Sequence, residues 1–80
     1  MTMGQFLRNE RKKKKLTIKL LSEFARIPVC TLSQYERGVR QPKFKNLATI
    51  SLLLGFSLDH CAECVFGSLM GDYSAESGEN

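Results

Sequence analysis

Eighty residues, 42% apolar and 25% charged, make one small globular domain with no room for a separate effector or catalytic domain. The longest unbroken apolar stretch, residues 52–56, falls far short of the roughly 20 residues that a membrane span requires, which excludes a transmembrane reading. The net charge of +4 is a difference between unequal halves: residues 1–45 hold all twelve Lys and Arg against Glu10, Glu23 and Glu36, a net +9, while residues 46–80 hold none against Asp59, Glu63, Asp72, Glu76 and Glu79, a net −5. Such a split turns the first half toward a polyanion.

The elements read as a series of short helices. Residues 4–15 suit a helix with Phe6 and Leu7 on a buried stripe and a basic end at Lys12 to Lys15, which complements the negative pole of a helix C-terminus. Thr17 caps a second helix whose apolar face is Leu20, Leu21, Phe24 and Ala25. Arg26-Ile27-Pro28 ends it, since proline removes a donor and holds Ile27 extended. A third helix covers residues 28–37, with Leu32 and Tyr35 inward and Gly38 at its end. Val39 to Lys43 is a loop containing Pro42. A fourth helix, residues 44–54, turns Leu47, Ile50, Leu53 and Leu54 inward and stops at Gly55. Ser57 caps a fifth, residues 58–69, carrying Cys61, Ala62, Val65 and Phe66. Residues 71–80 are polar and acidic and are expected to form a flexible, disordered tail, leaving 1–70 as the domain. No period-two strand pattern is present, so the fold class is all-α with five helices.

Charge in residues 1–15 follows the apolar residues, and no apolar h-region comes next, so a signal peptide is not expected. Three cysteines cannot all pair within one chain, and with no export signal a cytoplasmic location and free thiols are expected.

The second and third helices stand three or four residues apart, the spacing of a helix-turn-helix, whose second helix enters the major groove of DNA. The run LTIKLLS at 16–22, Ile27-Pro28, LSQYERG at 32–38, Arg40-Gln41-Pro42, and Leu47, Ile50, Leu54-Gly55 and Ser57-Leu58-Asp59 resemble the Cro and lambda-repressor (XRE-type) family of regulators. The resemblance spans residues 5–66. It implies that Arg11 pairs with Glu36, where a planar guanidinium holds a carboxylate with two hydrogen bonds. It assigns base reading to Val29, Cys30, Thr31 and Gln34. It places Thr17 at a phosphate-contacting position and Lys43 at a loop position that approaches the minor groove. Lys19, Arg40 and Lys45 are expected as further phosphate cations, with Ser33 beside the readers as another phosphate contact. Gln34 can both accept and donate in the plane of an adenine edge, and Val29 can meet a thymine methyl. With no Arg, Lys or Asn in the third helix before Arg37, affinity rests on phosphate contact, and apolar contact and DNA shape add specificity.

Three positions depart from the family pattern. Ile18 stands where a glutamine is usual, removing an anchor to the backbone and to a neighbouring reader. Ser22 replaces a small residue. Arg26 replaces the turn glycine and must either accept a left-handed conformation or distort the turn.

Competing chemistry is thin. His60, Cys61 and Cys64 share helical spacing, but zinc wants four N/S ligands and Cys61 falls at a core leucine position, so no metal and no cofactor are expected. Cys30, near a helix start, is a candidate redox switch beside its plainer role as a small side chain. One histidine and no phosphate-cradling loop argue against an enzyme. Leu58, Cys61, Ala62, Val65, Phe66 and Leu69 exceed what so small a core uses, and part of that stripe, Leu58, Val65, Phe66 and Leu69 with Phe56, is expected to form a dimer interface. The expected function is a homodimeric regulator, a repressor, bound to double-stranded DNA at a pseudo-palindromic operator. The second reading is an antitoxin or adaptor whose main task is to bind a protein partner, a toxin or another regulator.

Overall fold

Five helices account for the chain in this computed structural model, which describes the backbone of residues 1–77 and the side chains of residues 1–67. They are α1 (Met3–Lys13), α2 (Ile18–Ala25), α3 (Val29–Arg37), α4 (Phe44–Leu54) and α5 (Leu58–Ser77), and no strand occurs among the described residues. Each start has a local cause. Thr2 and Gln5 form a capping box before α1: the Gln5 amide donates to the Thr2 hydroxyl (3.1 Å) and the Thr2 amide to the Gln5 side-chain oxygen (3.0 Å). The Thr17 hydroxyl accepts from the Leu20 amide at 3.1 Å, and that of Ser57 from the His60 amide at 3.0 Å.

The ends are equally local. Gly38 and Gly55 close α3 and α4 in the left-handed region (φ 79° and 76°). Arg26 closes α2 in the same region, at φ 57° and ψ 41°, so the turn keeps its shape without glycine. Ser22 supports it, with its hydroxyl donating to the Ile27 carbonyl at 2.6 Å. Lys15 is also left-handed (φ 57°), which ends α1 two residues before the expected limit.

Phe6, Leu7, Leu21, Ala25, Ile27, Leu32, Tyr35, Ile50, Leu54, Phe56 and Cys61 form one buried core. Phe6 and Phe56 meet edge to face at 4.9 Å between ring centroids. Gly4 lets α1 cross the end of α3: a Cβ there would collide with the backbone carbonyls of Tyr35 and Glu36.

Several expected inward faces are corrected. Leu20 and Phe24 are 40% and 60% exposed, and Leu53 is 39% exposed. Successive residues on a helix point about 100° apart, so a stripe through Leu21 and Ala25, or through Ile50 and Leu54, turns its neighbours outward. Phe56, expected at a dimer interface, is only 8% exposed because it packs on Phe6 within the same chain. The α5 backbone leaves helical geometry at Phe66 (φ −116°, ψ 17°) and then continues to Ser77, past the expected end at residue 69. It therefore overlaps the expected tail at residues 71–77, where no proline stops the backbone ladder. Residues 78–80, like the side chain of Leu69, lie outside the described residues.

Candidate nucleic-acid interface

The α3 helix is held by its back and bare on its front. Leu32 and Tyr35 are buried, and the Tyr35 hydroxyl accepts from the Asn46 side-chain amide at 2.8 Å, tying α3 to α4. The Arg11 guanidinium holds the Glu36 carboxylate with both oxygens, Nε to Oε2 at 2.7 Å and Nη2 to Oε1 at 3.0 Å. Its remaining nitrogen donates to the Leu16 carbonyl at 2.8 Å. One side chain thus joins α1, α3 and the approach to α2. Hydrogen bonding to Glu36 raises the Arg11 pKa above its ordinary value, against the opposing effect of partial burial. The guanidinium therefore stays charged at any working pH.

On the front, Val29 and Cys30 are exposed, and Thr31, Ser33 and Gln34 are half-buried. The Ser33 hydroxyl accepts from Arg37 Nε at 3.2 Å. Pro28 occupies the N-cap position of α3, and no side chain caps that turn. Thr17, Lys19, Arg40, Lys43 and Lys45 are exposed. The Thr17 hydroxyl accepts within its own helix turn and keeps its proton to donate. Ile18 is half-buried against the core, so the position where a glutamine is usual serves packing. Arg26 and Ile27 in the α2–α3 turn, Thr31 and Tyr35 on α3, and Arg40 and Lys43 in the α3–α4 loop line a hollow of about 270 Å³.

The other candidate groups lie apart from this face. Cys61 is buried, with its sulfur 3.7 Å from that of Met3, and burial pushes its thiol pKa up. Cys64 Sγ lies 3.7 Å from His60 Nε2. Among the described residues no three His, Cys, Asp or Glu side chains gather as a metal site. Of the expected dimer residues, Leu58 and Val65 are half-buried and Phe66 is exposed. The bonds from Ser22 to Ile27 and from Asn46 to Tyr35 went unforeseen because they join residues that no local pattern pairs. The capping box was readable in T-x-x-Q. Exposed Phe44 and Leu52 on α4 carried no such signal.

Two short helices joined by a tight turn, the second braced from behind and flanked by a cationic loop, define a helix-turn-helix DNA-binding domain. Residues 7–61, more than half of the chain, match the HTH_3 helix-turn-helix family model. The protein belongs to that family and is a DNA-binding regulator of the Cro and lambda-repressor type. No curated protein matches the chain. No single described helix is long and apolar enough to cross a membrane.

Proposed function

We propose that the protein is a sequence-specific transcriptional repressor that binds a pseudo-palindromic operator as a homodimer in the cytoplasm. The observation that carries this reading is the bare first turn of α3, with Val29 and Cys30 exposed on the one helix that Arg11, Glu36, Tyr35 and Asn46 hold from behind. In the complex, Val29, Cys30, Thr31 and Gln34 face base edges, and Thr17, Lys19, Ser33, Arg40, Lys43 and Lys45 hold phosphates. Leu58, Val65, Phe66 and Leu69 join two copies, setting the recognition helices roughly 34–36 Å apart. Phe56 is left out of that interface because its own core covers it. Repression follows from occupancy of promoter DNA.

The test compares a duplex from the chain's own upstream region with a scrambled duplex at two salt concentrations. A specific site is expected to bind at least ~10³-fold tighter than the scramble, with affinity falling as salt rises. Equal, weak binding to both would remove the specificity claim. A second reading, an antitoxin or adaptor that binds a protein, draws on exposed Leu20 and Phe24, one turn apart on α2. Co-purification with a stoichiometric protein, together with no preferred duplex, would favour it.

A further inference from the structure

The turn between α2 and α3 contains a residue whose backbone conformation costs stability and whose side chain joins a cationic cluster. Arg26 is left-handed at φ 57° and ψ 41°, a region that glycine enters freely and a residue with a Cβ does not. Backbone strain held at one position is a reason to look for what the side chain does there. Arg26 lines the hollow of about 270 Å³ together with Arg40 and Lys43, and no acidic residue lines it. Among the described residues none of these three cations is in an ion pair; the two salt bridges join Arg11 to Glu36 and Lys13 to Glu10. Thr31, from the uncapped first turn of α3, adds a hydroxyl to the same wall. Three cations along one hollow with no carboxylate among them favour an anion there.

We propose that this hollow seats a backbone phosphate of the DNA, and that Arg26 is the contact this chain adds to those from Arg40 and Lys43. The inference rests on the DNA-binding reading above and goes beyond it in naming Arg26. It gives the departure from the turn glycine a purpose: a planar fork of donors placed at the DNA face, where phosphate geometry suits it.

The experiment uses the full chain, wild type and the variants Arg26→Gly, Arg26→Gln and Arg26→Lys. Duplex affinity is read at about 50 and about 200 mM salt. Arg26→Gly is expected to melt higher by roughly 4 °C, because the left-handed turn no longer strains a side chain. The same variant should bind duplex about 5- to 10-fold more weakly, with a salt slope shallower by about 2, one contact for each protomer of a dimer. Arg26→Gln should lose the same slope without the gain in melting temperature, and Arg26→Lys should restore most of it. A wild type that binds duplex and an Arg26→Gly variant with the same affinity and slope would overturn the inference and leave the DNA reading standing. A wild type that binds no duplex ends both. Amide shifts at Thr31 and Lys43 on adding inorganic pyrophosphate would then show that the hollow takes a free phosphate rather than one in a DNA strand.

Discussion

From α1 through α3 close contacts between elements fix the aim of one helix, although Leu20 and Phe24 on α2 stand bare, whereas α4 and α5 leave Phe44, Leu52 and Phe66 exposed. In the first region Gly4 allows backbone-to-backbone approach, Arg11 grips Glu36 with two hydrogen bonds, and Ser22 ties the turn at Ile27. In the second, Phe44, Leu52 and Phe66 stand in solvent, and the α5 backbone breaks its helical geometry at Phe66. A surface that reads a rigid duplex must be held to within a fraction of an ångström, and buried hydrogen bonds and close packing do that. A surface that meets another protein copy can keep its apolar atoms uncovered until association buries them. The contrast therefore sets a helix held from behind by polar contacts against elements that expose large apolar side chains.

The sharpest way to break the contrast is the pair Phe56 and Phe66. They lie ten residues apart in the same half of the chain, yet one is core and the other is surface. Phe56→Ala is expected to cost about 4 kcal/mol in urea unfolding, because the Phe6 ring loses its edge-to-face partner and a cavity remains. Phe66→Ala should leave the monomer within about 0.5 kcal/mol and instead weaken self-association in sedimentation equilibrium. Equal losses of stability would mean that Phe66 is not a surface residue at all.

Gly4 tests the other side. Gly4→Ala adds one carbon where the carbonyls of Tyr35 and Glu36 already stand, and both obstacles are backbone. The expected loss is about 3 kcal/mol, since helix propensity favours alanine and only the collision opposes it. A more stable Gly4→Ala variant would show that α1 can slide away from α3, and the aim of α3 would then be soft.

Arg11→Ala should cost about 2 kcal/mol, for it leaves a nearly buried Glu36 carboxylate and the Leu16 carbonyl without their donor. Arg11→Lys should recover less than half, because an ammonium group cannot form the paired bonds. Thermal melting checks both. Full recovery by lysine would reduce the pair to simple charge attraction.

Much of this was readable from the residues. Thr17, Gly38, Gly55 and Ser57 mark helix limits through local chemistry, and the observed limits fall beside them. The pairing of Arg11 with Glu36 came from family resemblance, since 25 residues separate the partners and no spacing rule joins them. What stayed hidden was the rotation of short helices. Leu20-Leu21 and Leu53-Leu54 each offer two adjacent apolar residues, and only the packed neighbours decide which one turns inward. The role of Gly4 was hidden for the same reason, because a glycine near a helix start does not name the backbone that will cross it. Lys15 has no glycine or proline to announce its left-handed backbone.

The smallest effect falls where the two regions join. Tyr35 on α3 accepts a hydrogen bond from Asn46 on α4, and Tyr35→Phe removes that bond while leaving the buried ring in place. Asn46 is only half-buried, so its freed amide can turn to water and avoid the full desolvation penalty. The expected loss is therefore about 0.5–1 kcal/mol, at the low end for a neutral hydrogen bond. Its location matters more than its size. The bond spans the loop that carries Arg40 and Lys43, so hydrogen exchange should quicken in residues 39–46 while the amides of α1 keep their protection. Uniform quickening across all helices would mean that the join is part of the global core. No change anywhere would mean that α4 positions the loop without this bond.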